Sequence, residues 1–139
     1  MSVEIGFPLE FIVPGTPVSL QTRRPEARSG WRDHIRQASR AALPEGHFAA
    51  TVPLAVTLFY FPAARMQGDI DNIVKPVLDA LCRHVYLDDR QVERVWVQKF
   101  EPDRMFAFRD PSPVLAEALG APKPLLFVRV TDDCLEGLP

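Results

Sequence analysis

The sequence predicts one small α/β domain in which two main helices pack on a mixed sheet of four strands. Four short segments are rich in β-branched and aromatic residues, as strands are, and two segments between them carry apolar residues at helical spacing. A chain of 139 residues is long enough for one hydrophobic core but short for two. We therefore expect residues 1–139 to form a single domain of the α/β class.

The predicted strands are apolar runs that end at turn residues. Leu9–Val13 is followed by Pro14 and Gly15, which indicate a turn. Val52–Phe61 shows partial alternation and stops before Pro62, a residue that cannot donate to a sheet. Two further strands are predicted at Val92–Phe100 and Leu125–Val130.

The first predicted helix, Trp31–Leu43, carries arginines at every fourth position and so presents an arginine stripe. The segment before it, residues 16–30, has no apolar period and contains two prolines. We expect it to be a mobile loop that becomes ordered on a partner. A short helix, Val114–Leu119, is predicted within the Pro-rich link of residues 101–124.

The second main helix is predicted to begin with Asp71 or Asn72 as its cap. Short polar side chains at that position accept hydrogen bonds from the N–H groups of the first helical turn. Pro76 is compatible with a helix only near its first turn, so a later start suits this proline better. The apolar positions recur at three- and four-residue spacing and are Val74, Val77, Leu78 and Leu81.

The composition is that of an ordinary soluble globular protein, with 47% hydrophobic and 24% charged residues. No apolar run approaches the roughly 20 residues that a membrane-spanning helix needs, and the start has no basic region typical of a signal peptide. We expect no membrane association and a cytoplasmic location. Cys82 and Cys134 belong to no metal-binding motif, so we expect buried free thiols.

A net charge of −2 argues against a protein that coats DNA through its overall charge. The charge is uneven, however, because residues 21–40 carry six arginines and two acids, a local charge of +4. Such a segment is either a solvated helix face or a local phosphate-binding surface. The candidate DNA-binding residues are Arg23, Arg24, Arg28, Arg32, Arg36 and Arg40.

A group of acids and one lysine carries the candidate chemistry. If the chain is still extended between Asp69 and Asp71, their carboxylates point to the same side, and Lys75 then projects over the same region from the first turn of the helix. After the helix the chain turns to Asp88 and Asp89. Adjacent residues point in opposite directions, so we expect only one of this pair to reach the site.

Clustered carboxylates repel each other and therefore usually hold a cation, a proton or an arginine, of which a Mg²⁺ ion suits this group best. Mg²⁺ prefers oxygen ligands and is often bound by one or two carboxylates together with substrate phosphates, with Mn²⁺ as the expected substitute. The three histidines show no zinc-binding spacing. Such a site suits phosphodiester hydrolysis, in which Lys75 helps to offset the charge that develops on the phosphate.

The pattern D-x-D-N-x-x-K-x-x-x-D-A-L of Asp69–Leu81, followed by L-D-D-x-Q-V at Leu87–Val92, resembles the RusA family of Holliday junction resolvases. These are small homodimeric endonucleases common in phages and prophages. A weaker likeness extends to the PGTPVSLQ stretch, Pro14–Gln21, and to the helix after it.

The resemblance implies a RusA-like fold and a homodimer that acts on branched DNA. By the same likeness Asp69, Asp71 and Asp89 are catalytic, metal-binding carboxylates, and Lys75 is the catalytic lysine. It further implies symmetric nicks in opposing strands of a four-way junction, during DNA recombination and repair, that leave 5′-phosphate and 3′-hydroxyl ends.

Several alternatives remain at this stage. Asp79, four residues after Lys75, is expected to form an exposed ion pair with it, and Asp88 is expected to be a turn former. The protein is alternatively a looser nuclease on flaps or forks, or a catalytically silent module that binds junctions. A small-molecule phosphohydrolase is disfavoured because the chain lacks the phosphate-binding glycine loop GxxxxGK[ST].

Overall fold

A mixed sheet of four strands lies at the centre of the protein, whose structure, a computed structural model, describes residues 3–139. The spatial order of the strands is β1-β4-β2-β3, in which β2 and β3 are parallel and the other neighbours are antiparallel. The predicted fold class is confirmed, and each strand lies within two residues of its predicted bounds. The strands are β1 (Leu9–Pro14), β2 (Leu54–Phe61), β3 (Val92–Lys99) and β4 (Leu125–Thr131).

Two main helices and one short helix complete the fold, as predicted: α1 (Pro25–Ser39), α2 (Asp71–Leu81) and α3 (Pro113–Gly120). The predicted bounds of α1 were wrong, since it starts six residues before Trp31 and ends four residues before Leu43. Pro25 suits the first helical position because its φ is already fixed there. Residues 25–30 gave no apolar period in the sequence because, apart from Ala27, they are polar, glycine or proline.

The predicted loop over residues 16–30 is shorter than expected, since α1 begins at Pro25, and the residues before it have defined partners. The N–H of Gly15 donates to the carbonyl of Pro124 at 2.9 Å, and the N–H of Leu20 donates to the carbonyl of Asn72, also at 2.9 Å. Nη2 of Arg28 donates to the carbonyl of Leu20 at 3.2 Å. The loop therefore lies against the start of α2.

Pro76 explains one of these contacts. A proline has no N–H, so within α2 the carbonyl of Asn72, four residues earlier, has no partner from the helix itself. The N–H of Leu20 occupies that carbonyl instead. The helix thus accommodates Pro76 without the later start that we expected.

The start of α2 differs from the prediction in one more respect. The cap residue is Ile70, with no side-chain hydrogen bond to the first turn, so neither Asp71 nor Asn72 is the cap. Asp71 is instead the first residue of the helix, where its negative charge is favoured by the helix dipole.

The two faces of the sheet have different covers. Helices α1 and α2 cover one face, where Ile35, Leu58 and Val77 are fully buried. On the other face α3 and the link after β3 surround an aromatic cluster that includes Phe59 and Phe61. Because every residue of β2 is buried, this strand lies at the centre of both layers.

The helices that the structure describes include none long and apolar enough to span a bilayer.

We predict that Pro76→Ala loosens the loop before α1. The new N–H would compete with Leu20 for the carbonyl of Asn72, and a net hydrogen bond is worth about 0.5–1.5 kcal/mol. We expect the amide of Leu20 to exchange with solvent about two- to tenfold faster by NMR. Pro113→Ala, in the first turn of α3, is the matched control. Equal Leu20 exchange in wild type and P76A would contradict this role for the proline.

Candidate active site

Lys75 stands between two carboxylates on the exposed side of α2. Its Nζ lies 2.6 Å from Oδ1 of Asp79 and 3.1 Å from Oδ2 of Asp89. The i,i+4 pair with Asp79 was predicted from spacing and is confirmed. Hydrogen bonds to Asp79, and then to Asp89, raise the pKa of Lys75, so its ammonium is charged at neutral pH. This side chain is half-exposed and able to change partners.

The turn after α2 separates the roles of the two adjacent acids. Asp88 caps a short 3₁₀ turn, and its Oδ1 accepts the backbone N–H of Arg90 at 2.8 Å. That N–H, followed by the side chain of Arg90, lowers the pKa of Asp88. Asp89 instead faces Lys75. The expectation that Asp88 forms the turn is therefore confirmed, and Asp89 is the acid of the pair that contacts Lys75.

Gln91 fixes this turn to the rest of the domain. Its Oε1 accepts the backbone N–H groups of Leu87 and Asp88, each at 2.9 Å. Its Nε2 donates to the carbonyls of Ala50 and Val52 at 2.8 and 3.0 Å. The glutamine of the L-D-D-x-Q-V motif thus positions the residues around Asp89 from both sides.

Asp69 and Asp71 lie at the start of α2 and are both exposed. Gly68 precedes them with a positive φ of 82°, a conformation that suits glycine. Ile70 between them is helical, with φ −64° and ψ −30°, so the chain is not extended here. The extended chain on which the alternation argument depended is therefore not present.

Glu101 holds the segment that leads to these two acids. Its Oε2 accepts the backbone N–H of Met66 at 3.1 Å, and Oε1 lies 3.0 Å from Nζ of Lys99. These two groups, Lys99 first, lower the pKa of Glu101, so this buried side chain is ionised. The charge pair had no sequence signal, because Glu101 follows a strand in a link that reads as irregular.

The donor set offered by the three aspartates is of carboxylate oxygens only, the chemistry that Mg²⁺ and Mn²⁺ prefer. Asp69 and Asp71 form no ion pair within residues 3–139, which leaves their oxygens available. Over the same range, however, no three His, Cys, Asp or Glu side chains are grouped closely enough to hold a metal ion. Ligation by Asp69, Asp71 and Asp89 thus stays a prediction that the chemistry of the donors supports.

The histidines have structural partners away from these acids. Nε2 of His47 contacts the carbonyl of His84 at 2.7 Å, and Nε2 of His84 contacts Oγ of the buried Ser39 at 2.7 Å. Burial, and then the nearby His47, lowers the pKa of His84 to about 4, so this ring is neutral at pH 7.

The six candidate DNA-binding arginines, which include the arginine stripe, differ in their partners. Nε and Nη2 of Arg36 donate to the carbonyls of Ala80 and Cys82, at 2.8 and 3.2 Å, and so satisfy the C-terminal end of α2. Arg28 is bound to the loop before α1, as described above. Arg28 is exposed despite these bonds, and so are Arg23, Arg24, Arg32 and Arg40. Of these, Arg40 donates from Nη1 to Oε1 of Gln37 at 2.7 Å.

Arg32 lies on α1, across a groove from the helix that carries Lys75. With Arg28 it lines a groove between α1 and α2 whose other wall includes Pro76 and Asp79. Its only ion pair among the described residues is a 3.6 Å contact with the adjacent Asp33. A guanidinium is therefore available beside the lysine of the site.

Tyr86 is a site residue that the sequence did not indicate. Its side chain is fully buried, yet its hydroxyl lies 3.0 Å from Oδ1 of Asp89. Burial, and then this hydrogen bond, raises the pKa of Tyr86, so the phenol is neutral.

The chain matches the model of a known protein family. A family model described as endodeoxyribonuclease RusA matches residues 15–106. The match covers about two thirds of the chain and includes α1, β2, α2 and β3. This chain belongs to the RusA family. A search among curated proteins found no match.

Membership confirms the resemblance noted from the sequence and implies endodeoxyribonuclease activity on Holliday junctions. All the candidate residues, from Arg23 to Asp89, fall within the matched range. Helix α3 and strand β4, which pack on the aromatic cluster, lie outside it.

Proposed function

We propose that this RusA-family protein is a Mg²⁺-dependent endonuclease that resolves four-way DNA junctions by paired nicks, with Mn²⁺ able to replace Mg²⁺. The observation that carries the proposal is the ion pair between Lys75 and Asp89, two motif residues far apart in the chain, inside a match to a nuclease family. Clustering of a protonated lysine with acids is typical of sites that act on phosphate esters.

Asp69, Asp71 and Asp89 would hold the cation, which when bound supplies an activated water and offsets negative charge on the phosphate. Lys75 contributes a second positive charge beside the scissile phosphate. Asp79 remains a partner for the ammonium of Lys75 when Asp89 binds another group, because the two acids contact the same Nζ.

Loss of the carboxylate of Asp71 should prevent cutting. Asp71→Asn should lower the cleavage rate of a mobile synthetic junction in Mg²⁺ by more than about 100-fold, beyond the 10- to 100-fold typical of groups that only support a metal ligand. The same change should spare junction binding, since it removes a negative charge. Asp79→Asn is the matched control and should cost less than about tenfold.

Other outcomes of that experiment distinguish the alternatives. Faster cutting of flaps or forks than of junctions would identify a looser structure-selective nuclease. Wild-type protein that binds junctions but cuts no branched substrate at any metal or salt concentration would contradict the proposed enzyme and favour a silent binding module.

The active species in this proposal is a homodimer, because paired nicks on a junction of near two-fold symmetry need two related sites. Light scattering at the concentration used for cutting should therefore give about 31 kDa, twice the 15.6 kDa of the chain. A mass of 15.6 kDa under those conditions would contradict the dimer while leaving the carboxylate chemistry open to the cutting assay.

The exposed arginines other than Arg28 are proposed to contact the phosphates of DNA, whereas Arg28 and Arg36 are held by backbone carbonyls. Arg32→Ala should lower the slope of log affinity against log salt by about 1, since one phosphate contact is lost. Arg36→Ala, the comparison, should leave that slope unchanged but lower the free energy of unfolding by about 1.5–3 kcal/mol, the usual worth of hydrogen bonds from a charged group. Equal slopes for wild type and R32A would return Arg32 to a solvated helix face.

A further inference from the structure

Tyr86 links the hydrophobic core to the candidate site. The whole side chain is buried in the core beneath α1 and α2, and its hydroxyl is its one polar group. Two acceptors lie at 3.0 Å from this hydroxyl: the backbone carbonyl of Leu78 and Oδ1 of Asp89. A phenol has one proton and donates to one acceptor at a time.

The carboxylate is the stronger acceptor of the two. The carbonyl of Leu78 already accepts the N–H of Cys82 at 2.9 Å, whereas Oδ1 of Asp89 has no other donor among the described residues. Hydrogen bonds to an ionised acceptor are roughly twice as strong as neutral ones. The hydroxyl of Tyr86 therefore donates mainly to Asp89.

The two oxygens of Asp89 thus have different kinds of partner. Oδ1 is held by Tyr86, whose ring is enclosed and has no room to turn away. Oδ2 is held by Lys75, which is half-exposed and has Asp79 as a second partner. Exchange of Lys75 for another cation at Oδ2 would leave the bond from Tyr86 in place.

We propose that Tyr86 is a positioning residue that holds Oδ1 of Asp89, so that Oδ2 faces Lys75 and the surface where a divalent cation would bind. The positional part depends only on the contacts above. The consequence for metal binding rests on the proposed function, in which Asp89 is a ligand.

Tyr86→Phe tests the proposal because it removes one oxygen and keeps the buried ring. We expect the affinity for Mn²⁺, measured by calorimetry on the full chain, to fall about tenfold or more, as for other groups that orient a metal ligand. Tyr60→Phe is the matched control, since Tyr60 is the only other tyrosine, is also buried and lies on β2. We expect Y60F to change the affinity less than about twofold, well below the loss from an orienting group.

A double-mutant cycle with Asp89→Asn separates positioning from general structure. In the D89N background, Y86F should cause no further loss of Mn²⁺ affinity. In urea unfolding without metal, the effects of Y86F and D89N should be non-additive, which reports the contact itself.

Additive unfolding effects would overturn the positioning role, and so would equal Mn²⁺ affinities for Y86F and wild type when D89N lowers that affinity. If instead the proposed function is wrong, D89N alone binds Mn²⁺ as wild type does, while the unfolding cycle still shows coupling between Tyr86 and Asp89.

Discussion

The parallel pairing of β2 with β3 determines where the candidate site forms. Parallel neighbours cannot be joined by a tight turn, so the chain crosses over through α2 before it enters β3 in the same direction as β2. This crossover places the turn before β3 against the helix, where Asp89 contacts Lys75. The crossover thus brings together two motif segments that are each recognisable in the sequence but that no local pattern places close together.

Helix α2 depends on the first forty residues at both of its ends. Near its start, Leu20 satisfies the carbonyl that Pro76 leaves without a helical partner. At its other end, Arg36 donates to the carbonyls of Ala80 and Cys82. The helix that carries Lys75 is therefore held by hydrogen bonds from outside it, and these compensate for a proline in its interior and for the absence of basic residues in its last turn.

Strong local patterns were sufficient to predict the strands of the sheet and the buried face of α2. Apolar runs bounded by turn residues gave the strands, and Val77 and Leu81, four residues apart, gave the buried face of the helix. The i,i+4 spacing of Lys75 and Asp79 also predicted their contact. The contact of Lys75 with Asp89 was expected only in outline, from a chain that returns after the helix.

The rest depended on contacts between segments distant in sequence. Nothing local shows that Leu20 would meet Asn72, so the loop before α1 read as mobile and the start of α2 as capped by a polar side chain. Tyr86 likewise had no sequence signal for its role, because its partner is fixed by the turn that follows. The arginine stripe was visible, but the division between Arg36 and Arg32 required the position of α2.

The central claim is that Asp69, Asp71 and Asp89 bind one divalent centre beside Lys75. A crystal structure of the protein in Mn²⁺, with the metal located by anomalous scattering, tests it most directly. We expect Mn²⁺ at about 2 Å from carboxylate oxygens of these aspartates, with Lys75 moved from Asp89 towards Asp79. Mn²⁺ bound elsewhere, with Lys75 still between Asp79 and Asp89, would contradict the claim.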